Sequence, residues 1–199
     1  MQPGDRNPKE TSPGTVALFG SGETAPAGRR VHETLLQQLH PPIDVAVLET
    51  PAGFQPNSAR VAGRLAEFVE QRLRNFGPQV TVVPARRRDG PHGSDDPELI
   101  APLLKADYVF AGPGSPTYTV RHLADTWAWH VIRVRQRRGT ILALASAAAI
   151  AAGAYALPVY EIYKAGADLH WVDGLDLLGP YGLELAVVTH WDNREGGPH

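Results

Sequence analysis

The sequence contains no cysteine. That excludes disulfides, thiolate metal centres and thiol nucleophiles together, and it agrees with a reducing, cytoplasmic setting. An excess of one charge is missing too, because 19 Lys and Arg stand against 21 Asp and Glu, a net charge of −2. No overall field of that size gathers nucleic acid or an anionic membrane surface. The basic runs Arg86-Arg87-Arg88 and Arg133 to Arg138 read as a solvated loop and the polar face of a helix. Long hydrophobic runs are scarce. The one stretch of spanning length, Ile141 to Val159, is alanine-rich and carries Gly153 and Pro158, so it reads as strand, turn and helix rather than as a membrane span. The opening residues lack the apolar core of a signal peptide, and residues 1–13 read as a disordered tail ahead of one domain over 14–199.

What is present is 43% hydrophobic residues in a chain of 199, ordinary for one globular domain with a real core. Short runs, apolar on both faces, recur at Thr15–Phe19, Ile43–Leu48, Gln79–Pro84, Asp107–Ala111 and Thr140–Ala145. Segments with helical spacing separate them: Val31–Leu39, Ser58–Phe76, Pro97–Lys105 and Tyr118–Arg138, the last interrupted near Asp125. This alternation predicts an α/β fold, a mainly parallel sheet between two layers of helices. Ligands in such folds gather at the carboxyl ends of the strands. The residues there are Gly20-Ser21-Gly22-Glu23, Glu49 to Gly53, Gly112 to Pro116, and Ser146.

Ser146 is the single polar break in Thr140–Tyr155. A strand that turns sharply into a helix would expose its hydroxyl as a nucleophile. The same pattern also suits a small residue filling a tight strand-to-helix contact, and the glycines usual on either side of such a turn are replaced by Leu144 and Ala148. The turn at Gly112 to Ser115 frees backbone to face a developing negative charge. Pro113 has no amide hydrogen, so Gly114 is the better donor, with the amide of Ala147 as the second. A plain tight turn before a helix is the alternative.

A serine nucleophile needs a base and an acid. His190 closes the strand-like run Leu185–Thr189, which would bring it to the edge where Ser146 lies, although a structural or surface histidine would look the same. Glu161 stands among apolar and aromatic residues in Pro158–Lys164, where a carboxylate needs a partner: an imidazole, Lys164 or an arginine. His170, His190, Asp192 and His199 lack the spacing of a metal site. The GSGE turn invites comparison with a dinucleotide loop, with Glu49 as the ribose acid, but Ala25 stands at the third glycine position and Pro26 follows it.

Taken in order, GSGE, ETPAGFQPNS, AGPGSP, ASAAA, PVYEIYKAG and HWDNREGG resemble the peptidase S51 family, which includes aspartyl dipeptidase and cyanophycinase. The resemblance runs from about Thr15 to the end of the chain. It implies the class I glutamine amidotransferase-like, flavodoxin-like architecture and a serine hydrolase. By that resemblance Ser146 is the nucleophile, His190 the base and Glu161 the acid, with Gly112, Gly114 and Ala147 at the oxyanion hole. Arg194, Arg121, Glu23 and Asn193 are the candidates for holding a small peptide or amide, aspartyl or β-aspartyl. No cofactor or metal is implied. Relatives continue beyond the point matching His199, so a C-terminally shortened chain is expected. Three rival readings stand beside this one: an inactive relative that kept the fold, a nucleotide-binding module using GSGE, and an assembly role. In the last, Trp127 and Trp129 point different ways on one helix, so that one is core and the other faces a homodimer partner.

Overall fold

The computed structural model describes residues 12–191. Five parallel strands form the central sheet: β1 (Val16–Phe19), β2 (Ile43–Leu48), β3 (Pro78–Val83), β4 (Tyr108–Ala111) and β5 (Ile141–Ala145), in the order β1-β5-β4-β2-β3. Each coincides with an apolar run read from the sequence. The side-chain period of two then splits every strand between two cores. Ile43, Val45 and Val47 of β2 face one side with Ile141, Ala143 and Ala145 of β5, under α1 (Pro26–Leu36) and α2 (Ser58–Arg72). Ala46 and Leu48 face the other side with Leu142 and Leu144, under α3 (Pro97–Lys105), α4 (Pro116–Leu123) and α5 (Trp127–Arg137). The result is a three-layer α/β fold with helices on both faces.

The helix boundaries have local causes. Asp96, Ser115 and Thr126 accept backbone N–H bonds at the starts of α3, α4 and α5, satisfying donors that a helix leaves orphaned in its first turn. The expected interruption near Asp125 is where α4 and α5 part, with Asp125 at φ 58°. Helix α1 begins earlier than its apolar spacing indicates, because Pro26 at its start is preset for the helical φ. Trp129 is 6% exposed and Trp127 63% exposed, the division between core and surface that their spacing predicts.

The carboxyl-terminal part departs from expectation. After β5 come α6 (Ala147–Ala151), β6 (Tyr155–Ala156), α7 (Val159–Ala165) and β7 (Val172–Asp173), with β6 and β7 a small antiparallel pair. Leu185–Thr189 does not join the main sheet as a strand. It makes one isolated bridge, Ala186 to Tyr155, and Leu185 and Val188 remain exposed. An apolar run becomes a strand only where a neighbouring edge pairs with it, and here the pairing ends after one residue. Among the described residues no helix is long and apolar enough to cross a membrane.

Candidate active site

Strand β5 is fully buried along its length and ends directly at Ser146. Ser146 has φ 51° and ψ −112°, a conformation L-residues rarely adopt, and α6 starts at the next residue. Its N–H donates to the Phe19 carbonyl of β1 at 2.9 Å, and its carbonyl accepts from Ile150 N–H at 3.0 Å. The strained residue is thus held from both sides, as such residues must be. The β-carbons of Leu144 and Ala148, which replace the usual glycines, are absorbed by the core beneath α4 and α5, where the two residues are 5% and 4% exposed. A sharp strand-turn-helix therefore forms without flanking glycine.

Ser146 Oγ lies 2.8 Å from His190 Nε2. His190 itself has φ 59°, and it sits against the end of β1: a β-carbon added to Gly20 would come within 3.7 Å of the His190 backbone nitrogen. The carboxyl ends of the neighbouring strands β1 and β5 thus bring together the GSGE turn, the serine and the histidine. The histidine arrives on an irregular segment rather than at the end of the strand that the sequence predicts.

Glu161, in the first turn of α7, is half-buried. Its Oε1 accepts a hydrogen bond of 2.6 Å from Thr117 Oγ1, and Thr117 Oγ1 lies 3.0 Å from Ser115 Oγ. Among the described residues its Oε2 is buried without a hydrogen-bond partner. Among the described residues the carboxylate pairs with neither Lys164 nor an arginine, and Lys164 Nζ sits 5.0 Å from the centre of the Tyr160 ring. Thr117 was not among the candidates from sequence. Its place one residue into α4, after a glycine-bearing turn at a strand end, is the signal that could have found it.

The turn after β4 is fixed by close approach. A β-carbon on Gly114 would fall 1.7 Å from the Pro51 carbonyl oxygen, and Ser115 N–H donates to that same oxygen at 3.0 Å. A β-carbon on Gly112 would meet the Leu65 side chain at 2.4 Å. Gly114 is therefore required by the close backbone approach, whereas at Gly112 only the end of the Leu65 side chain stands in the way. Ala147 is the first residue of α6, so helix geometry gives its amide no intrahelical acceptor.

Glu49, which a nucleotide site would need at the end of β2, is 2% exposed and accepts from Arg86 Nε at 2.6 Å. The backbone carbonyl of Glu23 accepts from His32 Nε2 at 3.0 Å. Since a carbonyl only accepts, that nitrogen carries the proton, and Nδ1 takes the Tyr108 hydroxyl at 2.5 Å. Burial pulls the His32 pKa from 6.5 down to about 4, against the opposing effect of the Glu23 bond. The neutral ring stacks on Phe19 at 4.8 Å and pins the GSGE turn to the sheet. Arg121 is exposed on α4. Asn193, Arg194, Asp192 and His199 lie outside the described residues. Two surface cavities, of about 650 Å³ beside Arg29 and Arg72 and about 550 Å³ beside Tyr155 and Glu184, are lined by none of the site residues. Among the described residues no group of three or more His, Asp and Glu is placed to hold a metal ion.

No family model matches the sequence, and no curated protein matches it. The fold does have solved counterparts. The chain is similar to a peptidase from an acI-B1 Actinobacterium, with a TM-score of 0.68 and 21% identity over 85% of this chain and 66% of that one. It is also similar to a protein described as a peptidase E from Listeria monocytogenes EGD-e, with a TM-score of 0.56 and 16% identity over 83% of this chain and 76% of that one. The chain thus spans just under two thirds of the first neighbour's length. At these identities the likeness establishes a shared three-layer fold, and both of these neighbours are described as peptidases.

Proposed function

We propose that the chain is a serine hydrolase of the peptidase S51 type, acting on a small peptide or amide. The observation that carries this reading is Ser146 on a turn at φ 51° with its Oγ 2.8 Å from His190 Nε2. In this reading His190 Nε2 takes the Ser146 proton as Oγ attacks the amide carbonyl, and an oxyanion forms. The C–N bond then breaks, with the proton passing from His190 to the departing amine and the acyl group remaining on Ser146. Water, deprotonated by the same imidazole, releases the acid and restores the serine. The amides of Gly114 and Ala147 face the oxyanion in this scheme, and a donor of that kind is worth about 10²–10³ in kcat.

Glu161 is the proposed acid. A buried carboxylate oxygen without a donor is costly, and its Oε2 is such an atom. An imidazole N–H would satisfy it. The Thr117 hydroxyl supports this role by fixing the other oxygen at 2.6 Å. For substrate, the resemblance favours aspartyl or β-aspartyl dipeptides, with Arg121 as a carboxylate partner through bidentate bonding. Peptidase neighbours are consistent with this reading.

The test is turnover of a panel of aspartyl and β-aspartyl dipeptides. Ser146→Ala and His190→Ala should each lower kcat/KM by at least 10³-fold while remaining folded. Hydrolysis that survives Ser146→Ala would overturn the assignment.

A further inference from the structure

Three aromatic rings from three separate elements meet at the edge where the site lies, and neither hydrophobic core contains them. Phe54, after the turn Thr50–Ala52 that follows β2, stands 5.5 Å from Tyr118 of α4 and 5.5 Å from Tyr160 of α7, centre to centre. Phe54 keeps 41% of its surface exposed. A phenyl ring in contact with two others, yet open on one side, presents an apolar face that the fold does not use. The cluster is rigid, because the Tyr118 hydroxyl donates to the Arg86 carbonyl at 2.9 Å and Lys164 sits over Tyr160.

Its position relates it to Ser146. Tyr118 follows Thr117 and Tyr160 precedes Glu161, the pair joined by the 2.6 Å bond. Helix α4 packs on both α6 and the turn Thr50–Ala52. The strands β5, β4 and β2 are consecutive in the sheet, so the end of β2 lies two strand spacings, about 10 Å, from the end of β5. Phe54 lies beyond that end of β2, so a pocket there takes the substrate residue next to the scissile bond rather than the reacting carbonyl itself.

Two arginines flank Tyr118. Arg121 stands three residues, about one helical turn, after Tyr118 on α4, and Arg87 follows Arg86, whose carbonyl accepts from the Tyr118 hydroxyl. Both side chains are exposed, and neither joins an ion pair among the described residues. Arginines without carboxylate partners beside an open aromatic face suit a ligand that is apolar and anionic together.

We propose that Phe54, Tyr118 and Tyr160 form a subsite for a large apolar or aromatic side chain on the substrate residue that leaves, with Arg87 and Arg121 taking that residue's terminal carboxylate. The proposal rests on the hydrolase reading for which side of the bond is occupied, and it makes the substrate a dipeptide ending in a bulky residue. Its test uses binding rather than turnover. Calorimetric titration of the folded Ser146→Ala protein with Asp-Phe, Asp-Ala and Asp-Phe amide should show Asp-Phe bound at least tenfold more tightly than Asp-Ala. Asp-Phe should also bind at least fivefold more tightly than its amide. Phe54→Ala should abolish the first preference and keep the second, while Arg87→Gln with Arg121→Gln should do the reverse. Phe54→Leu, which keeps apolar bulk, provides the same reading if the alanine variant fails to fold. Equal affinities, no binding of Asp-Phe, or a preference that persists in a folded Phe54 variant would overturn the subsite. Wild-type protein that shows this binding order yet cleaves none of the dipeptides would support the subsite and count against the hydrolase.

Discussion

Ser146 is the residue at which sequence, strain and chemistry coincide. Its left-handed backbone, φ 51°, costs a non-glycine residue about 1–3 kcal/mol, retained only where surrounding structure enforces it. A glycine has no β-carbon to strain, so Ser146→Gly should raise stability by about 1 kcal/mol, whereas Ser146→Ala, still strained, should leave it near the wild-type value. Chemical denaturation of the three proteins measures this, and equal stability of the glycine and alanine variants would show that the turn is unstrained. The apolar run made Ser146 legible in the sequence. Leu144 and Ala148 obscured it, because the usual glycines are missing, and only packing shows that the core beneath α4 and α5 has room for both β-carbons. Glu161 was legible as a carboxylate in need of a partner. That the partner is Thr117 was not, since the two residues are 44 positions apart and meet only when α4 and α7 converge.

Elements position the site through a few buried polar contacts, and His32 is the clearest. It fastens α1 to β4 through Tyr108 and to the GSGE turn through the Glu23 carbonyl. Its folded pKa of about 4 lies below the ordinary 6.5, so between these values the unfolded chain binds more protons than the folded one. The stability that the neutral ring contributes is full above pH 6.5 and declines as pH falls toward 4. Linkage puts the loss at about 3 kcal/mol between pH 7.5 and pH 4. His32→Gln should have a pH–stability slope flatter by that amount over the window, measured by urea denaturation at each pH; parallel slopes would mean that His32 titrates normally. The strands themselves were legible, because each is rich in apolar residues and flanked by turn residues, although β3 turns Gln79 and Thr81 to the surface. Leu185–Thr189 carries the same signal yet stays largely unpaired, since composition records a tendency to be buried and not the presence of a neighbouring edge.

At the scale of the whole molecule, parallel strands direct all their carboxyl ends to one side. Residues from positions 20, 54, 114, 146, 161 and 190 can therefore serve one site although they are scattered along the chain. The class of fold follows from the alternation of strand and helix, and peptidase structures share it. The proposed chemistry rests on one contact, Ser146 Oγ to His190 Nε2. Labelling with a fluorophosphonate probe, with the modified residue located by peptide mass spectrometry, tests that contact most directly in wild-type, His190→Ala and Ser146→Ala proteins. A phosphonylated Ser146 is expected in the wild type, with labelling slowed at least 100-fold by His190→Ala and none in Ser146→Ala. Labelling of Ser146 at the same rate without His190, or a folded wild type whose modified residue is any other, would contradict the proposed chemistry.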